Sequence, residues 1–303
     1  MILPAHLPPP AGPGDRVGVA ALSGPVDPGR LEAGVGALKR LGFEPVLADN
    51  LLLRHGLFAG SDAERLAGFH RLAADPDLPV ILFARGGHGV LRILPGLDWD
   101  LLARRPRAYM GFSDLSPFLL EVVRRLGLVA FHGPMVAADL ARGLSPEDEA
   151  SFLGALAGAY PAELPFTAMI RPGNARGPLL GGCLSLLTAT LGTPWAPDLA
   201  GAVVFWEDVN EPSYRIDRML THLALSGTLE NIAGMIVGHL GEPQEPGREA
   251  VEWPAQIADS LARYSWPLAW GLASGHVSPN RTLPLGIMAR LEAEAGRLVL
   301  GEG

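Results

Sequence analysis

The chain has one cysteine, Cys183, in 303 residues, so it cannot form an internal disulfide. That fits a reducing compartment. Lysine is as scarce, with Lys39 alone, and although arginine is common no Lys/Arg cluster forms. Together with a net charge of −8, this argues against nucleic acid or an anionic membrane as a partner. No stretch reaches the roughly 18 uninterrupted apolar residues of a membrane span. Residues 1–14 are rich in proline but have no basic segment followed by an apolar core, so they read as neither a secretory signal nor a transit peptide. The expected location is the cytoplasm. Metal-ligand spacings are missing too: there is no H-E-x-x-H, no C-x-x-C and no pair of histidines at i, i+4, so no metal site is expected.

What is present describes a globular protein, with 48% hydrophobic and 18% charged residues. The length allows one large domain or two medium ones. Residues 16–21 read as a buried strand, residues 28–41 as a helix with Leu31, Val35, Leu38 and Leu41 on one face, and residues 43–47 as a second strand. A helix over 62–73 and the apolar run Val80-Ile81-Leu82-Phe83-Ala84 continue the alternation through Ser113 to a strand at 128–131. The pattern predicts an α/β fold with a mostly parallel sheet. Periodicity weakens over 138–177, where one short helix near 147–156 sits among prolines and glycines, and this stretch reads as a connection between domains. Beyond it come a strand over 203–206 ending in Glu207-Asp208, a helix over 213–225 and a strand over 232–238. The organisation expected is an N-terminal α/β domain over 1–137, a linker over 138–177 and a C-terminal domain over 178–303.

Four stretches can hold chemistry. In Tyr109-Met110-Gly111-Phe112-Ser113-Asp114 a strand runs out and an amphipathic helix follows, with Leu115, Phe118, Leu119, Val122, Val123 and Leu126 on one face and Gly127 placed to end it. Ser113 therefore lies at a strand-to-helix turn. There a hydroxyl can be presented beside fresh helix N–H groups, or can serve as an ordinary N-cap. Arg85-Gly86-Gly87-His88-Gly89 follows the strand ending at Ala84, where glycines let backbone approach a ligand or simply make a turn. The run is neither G-x-G-x-x-G nor a P-loop, so on this run alone no nucleotide is expected. Glu207 and Asp208 leave a buried strand and can either orient a histidine or face solvent. Gly275-His276 lies in a Gly/Ser/Pro/Asn loop, and histidine is the usual base for a serine hydroxyl. With eight histidines, spacing alone does not choose among His276, His88 and His132.

These stretches, in this order, resemble the LD-carboxypeptidase family of serine peptidases, which includes murein tetrapeptide carboxypeptidases and microcin C immunity hydrolases. The resemblance runs from Gly14-Asp15-Arg16-Val17 to Leu283-Pro284-Leu285-Gly286. It also takes in Gly181-Gly182 and Tyr214-Arg215-Ile216-Asp217-Arg218. It implies an N-terminal α/β domain and a smaller β-rich C-terminal domain with the active site between them. It also implies Ser113 as nucleophile, His276 as general base and Glu207 as the carboxylate that orients it. The oxyanion hole would be the backbone N–H groups of Asp114 and Gly87, and Arg85, Gly86 and His88 would contact substrate. The family often has an aromatic residue where His88 stands and Asn where Cys183 stands. The implied reaction is hydrolysis of the L,D-peptide bond before the terminal D-alanine of a murein tetrapeptide, with no metal or organic cofactor, by a homodimer. The same triad acting on an aminoacyl or peptidyl nucleotide, or a muropeptide-binding protein without catalysis, would fit the same residues.

Overall fold

A computed structural model describes residues 5–160, 162–241 and 252–301. Pro161, one of the prolines in the expected connection, lies outside them, as do residues 1–4 of the proline-rich start. The chain divides into two compact units. The first is Ala5–Tyr160 together with Arg281–Pro284, and the second is built from the described residues of Pro161–Asn280 and Leu285–Gly303.

The first unit alternates strand and helix. Its elements are β1 (Arg16–Ala20), α1 (Pro28–Arg40), β2 (Glu44–Leu47), α2 (Asp62–Ala74), β3 (Val80–Phe83), α3 (Val90–Ile93), α4 (Trp99–Arg104), β4 (Ala108–Gly111), α5 (Ser116–Leu126), β5 (Ala130–His132) and α6 (Pro146–Leu156). Local chemistry sets their ends. Asp27 accepts from the Arg30 N–H at 2.9 Å to start α1. Ser61 and Glu64 close a capping box on α2. Gly127, at φ 61°, ends α5 in the left-handed conformation expected of a helix-terminating glycine. Strands β1 to β5 pair in parallel in the order β2-β1-β3-β4-β5. Direction along the sheet reverses between β1 and β3, and the carboxyl ends of strands at such a point form a ligand crevice. The core behind the sheet is aromatic: Phe118 lies edge-on to Phe69, Phe83 and Tyr109, with ring centroids 5.3 to 5.5 Å apart.

The second unit holds β6 (Glu163–Pro165), β7 (Ala168–Arg171), β8 (Ala175–Cys183), α7 (Leu184–Ala189), β9 (Val203–Asp208), α8 (Ser213–Leu225), β10 (Gly234–Leu240), α9 (Trp253–Ser260), β11 (Leu268–Trp270), β13 (Met288–Glu292) and β14 (Arg297–Leu300). Between β11 and β13 the chain supplies β12 (Leu283–Leu285), which joins the first sheet beside β5. The second sheet has the order β6-β14-β13-β8-β9-β10-β11-β7. Its centre, β8 to β11, is parallel, and both flanks are antiparallel. Val203 to Asp208 are buried throughout, as a central strand requires. The stretch 138–177, predicted as a connection, is largely structured: it contains α6, β6, β7 and the start of β8. No helix of the described residues is long and apolar enough to cross a membrane.

Candidate functional site

Ser113 sits where the sequence places it, directly past β4. A short 3-10 turn, Ser113–Leu115, intervenes before α5, so the helix begins at Ser116 rather than at Leu115. Ser113 has φ 62°, and among the described residues only Asn210 shares a positive φ without being glycine. A left-handed serine costs on the order of 1–3 kcal/mol, and conformations of this kind persist where the surroundings enforce them, commonly at reactive positions. The surroundings are visible. The Ser116 hydroxyl donates to the Ser113 carbonyl at 2.8 Å, and the Leu115 N–H donates to the Phe112 carbonyl at 3.3 Å. The result is a sharp strand–turn–helix with a left-handed serine at its corner.

The Gly-rich run after β3 lies against this turn. A β-carbon built on Gly86 would stand 2.9 Å from Ser113 Cβ, 3.0 Å from Ser113 Oγ and 3.5 Å from the Asp114 nitrogen. Only glycine leaves the Ser113 hydroxyl its space. Gly87 and Gly89, at φ 114° and 128°, bend the run in a way that L side chains resist. The Gly24 N–H donates to the Gly86 carbonyl at 3.2 Å, joining the loop after β1 to the loop after β3. The Asp114 side chain makes a second tie. It is 2% exposed, and its Oδ2 accepts from the Ser23 hydroxyl at 2.6 Å and from the Val90 N–H at 2.9 Å. Arg85 and His88 are exposed. Arg85 donates to the Pro25 carbonyl at 3.2 Å and to the Gly86 carbonyl at 3.3 Å, and the His88 ring stands 5.7 Å from that of Phe58.

Sequence reasoning passed over Arg65, which is fully buried. Its guanidinium donates to the Leu22 carbonyl, to the Gly89 carbonyl at 2.9 Å and to Asp62 at 2.5 Å, and lies 4.8 Å from the Phe58 ring centroid. It therefore fixes the far end of the Gly-rich run. An arginine on the face of α2 that carries Phe69 and Leu72 was the available signal. A long cation there has to find buried acceptors.

In the second unit, β9 carries Glu207 inward rather than into solvent. The residue is 0% exposed, and its Oε2 takes both the His276 ring at Nδ1, 2.6 Å away, and the His276 backbone N–H at 3.2 Å. An ionised carboxylate only accepts, so Nδ1 carries the proton and Nε2 is the basic nitrogen. Gly275 makes this approach possible: its φ is 123°, and a β-carbon on it would fall 2.7 Å from Glu207 Oε2. Asp208 instead points at the start of α7, accepting from the Ser185 and Val209 N–H groups at 2.8 Å each. Burial pushes its carboxyl up, against the pull of those two bonds. Cys183 pairs across the sheet with Glu207, and burial, reinforced by the Glu207 and Asp208 charges, pushes its thiol well up. Of the rival histidines, His132 is buried at the end of β5, its ring 5.4 Å from that of Phe112. Among the described residues no group of three or more His, Cys, Asp or Glu side chains is gathered as a metal would need.

Residues 17–133 match the LD-carboxypeptidase N-terminal domain, and residues 176–291 match the LD-carboxypeptidase C-terminal domain. The murein tetrapeptide carboxypeptidase of Pseudomonas aeruginosa is 34% identical over 91% of this chain and 93% of its own. The crystal structure of a muramoyltetrapeptide carboxypeptidase from Oxalobacter formigenes superposes with a TM-score of 0.84 at 32% identity, covering 95% of this chain and 99% of that one. The fold is also that of the microcin C7 self-immunity protein MccF in complex with aspartyl sulfamoyl adenosine, at a TM-score of 0.88 and 23% identity over 98% of this chain and 99% of that one. The Escherichia coli protein of that name is 26% identical over 100% of this chain and 98% of its own. The chain belongs to the LD-carboxypeptidase family of serine peptidases.

Proposed function

We propose that this protein is a serine carboxypeptidase that removes the terminal D-alanine of a murein tetrapeptide. The observation that carries the reading is the buried Glu207–His276 couple at 2.6 Å. A carboxylate locked on Nδ1 sets the tautomer in which Nε2 can take a hydroxyl proton. Ser113, held in its left-handed turn, supplies that hydroxyl and attacks the carbonyl of the scissile L,D-amide. The backbone N–H groups of Asp114 and Gly87 then hold the oxyanion, and the close fit of Gly86 to Ser113 supports this assignment. His276 returns the proton to the departing amino group of D-alanine. Water, deprotonated by the same imidazole, releases the acyl chain and restores the Ser113 hydroxyl. Arg85 meets the substrate carboxylate, and His88, exposed beside Phe58, lines the entrance.

The names of the Pseudomonas and Oxalobacter relatives favour this substrate, and the likeness to MccF keeps an aminoacyl nucleotide as the second choice. The same reading gives a cytoplasmic homodimer without a cofactor, acting on fragments of cell wall taken back for reuse. The purified chain is tested by release of D-alanine from a murein tetrapeptide and, in parallel, by hydrolysis of an aspartyl sulfamoyl adenosine. Faster turnover of the tetrapeptide is expected. Preference for the adenosine compound would move the substrate to the second class, and binding of either without turnover would make the protein a binding module. Ser113→Ala is expected to lower tetrapeptide turnover on the order of 10⁴-fold or more.

A further inference from the structure

The loop that carries His276 is closed by a side chain that the mechanism above does not use. Asn280 is 3% exposed, and its Oδ1 accepts from the Gly275 N–H at 2.9 Å. The other end of the amide, Nδ2, meets no hydrogen-bond acceptor among the described residues. Rotating the amide by half a turn would set its NH₂ against the Gly275 N–H, donor to donor, so the bond to Gly275 fixes its orientation. A buried donor without a partner costs about 1–3 kcal/mol, and an apolar side chain of similar size would avoid that cost. The amide is thus poorly explained by packing and well explained by its one bond.

That bond falls at a sensitive place. Gly275 has no side chain to hold it, and its φ of 123° belongs to a conformation the chain does not adopt unaided. On one side it presses against Glu207, where even a β-carbon would come within 2.7 Å of Oε2. The next residue, His276, gives both its backbone N–H and its ring Nδ1 to that same oxygen. The Gly275 N–H is therefore a handle on the backbone immediately before the imidazole, and Asn280 Oδ1 is the group that grips it. We propose that Asn280 is a positioning residue for His276, fixing through Gly275 the angle at which the imidazole meets Glu207. The proposal rests on the reading of His276 as general base. Displacement of a catalytic group by about 1 Å can cost on the order of 10²-fold in rate, so the loss of one loop-closing bond should be visible in turnover.

The test compares Asn280→Leu, which keeps the bulk and removes the acceptor, with Asn280→Asp, which keeps an acceptor at the same place. Asn280→Ala serves as a second truncation should the leucine variant not fold, and each variant's fold is checked by circular dichroism. With a murein tetrapeptide as substrate, Asn280→Leu or Asn280→Ala is expected to lower kcat about 10- to 100-fold with KM changed less than about threefold. Asn280→Asp is expected to recover most of kcat. The low-field proton resonance of the His276 Nδ1–H bond should be kept in the Asp variant and be weakened or lost in the truncations. Parent-like kcat in the truncations, or equal loss in the Asp variant and the truncations, would overturn the proposal. His276→Ala is run beside them. If that variant turns over like the parent, it is the assignment of His276 that fails. If it is inactive while the truncations are active, the role of Asn280 alone fails.

Discussion

Ser113 takes its shape from chain within a few residues of it, whereas Glu207 and His276 meet across 69 positions. At Ser113, β4 ends, the chain turns left-handed once and α5 begins, with a hydroxyl three residues on closing the turn. In the other region a central strand must bury a carboxylate completely, and a distant loop must then arrive with a glycine at φ 123° so that an imidazole can reach it. A local device tolerates change elsewhere in the fold. A long-range one depends on every element that brings its two ends together. The two regions should therefore respond differently to substitution.

Glu207→Gln probes the long-range region with little change of shape. It replaces an oxygen that can only accept with an amide whose NH₂ can face Nδ1, which favours the wrong imidazole tautomer. Turnover of the tetrapeptide should fall by about 10³- to 10⁴-fold while the thermal midpoint changes little. A modest fall would mean that Glu207 is structural. Gly86→Ala probes the local region from outside. Its methyl would lie 3.0 Å from the Ser113 oxygen, so the hydroxyl or the Gly-rich run must shift, and kcat should drop on the order of 10²-fold with the fold intact. Parent-like kcat would show that the turn yields without consequence. The smallest effect is expected at Cys183. Burial, with the nearby carboxylates, holds its thiol well above its ordinary 9.0, so between pH 7 and 8 an alkylating reagent should react slowly with native protein and rapidly once it is unfolded. A folded pKa above the unfolded one gives a contribution to stability that is complete below the unfolded value and is lost as pH rises through the folded value. Any change in stability from this thiol should therefore appear only above about pH 9, as a fall. Fast alkylation of native protein at pH 7 would contradict this placement of Cys183.

The same contrast explains what could be read from the chain. Helix α1 starts at its Asp27 cap, and α1 and α5 finish at the left-handed glycines Gly42 and Gly127, because those signals act over a few residues. The turn at Ser113 was legible for the same reason, although the intervening 3-10 turn was not. Strand β8 was not legible over any of its length. It contains Gly177, Pro178, Gly181 and Gly182, residues with low strand propensity, and it is held as a strand by pairing with β9 and β13. Glycine there permits close approach of neighbouring backbone, which propensity does not report. Local signals left Glu207 open between a solvent-facing strand end and a buried partner, and only the resemblance of ordered motifs joined it to His276. The Asp114 side chain and Asn280 had no local signature, and Arg65 had only its place on the apolar face of α2. Arg65 and Asp114 act on backbone groups 24 positions away, and Asn280 on one five positions back in an irregular loop that no periodicity reports.

The central claim is that Ser113 is a nucleophile activated by His276. It is tested most directly by treating the folded chain with a serine-reactive fluorophosphonate and locating the adduct by peptide mass spectrometry. The account predicts one adduct on the peptide containing Ser113, none in Ser113→Ala, and labelling slowed by on the order of 10²-fold or more in His276→Ala. An adduct on another residue, or labelling of Ser113 at the same rate with and without His276, would contradict it.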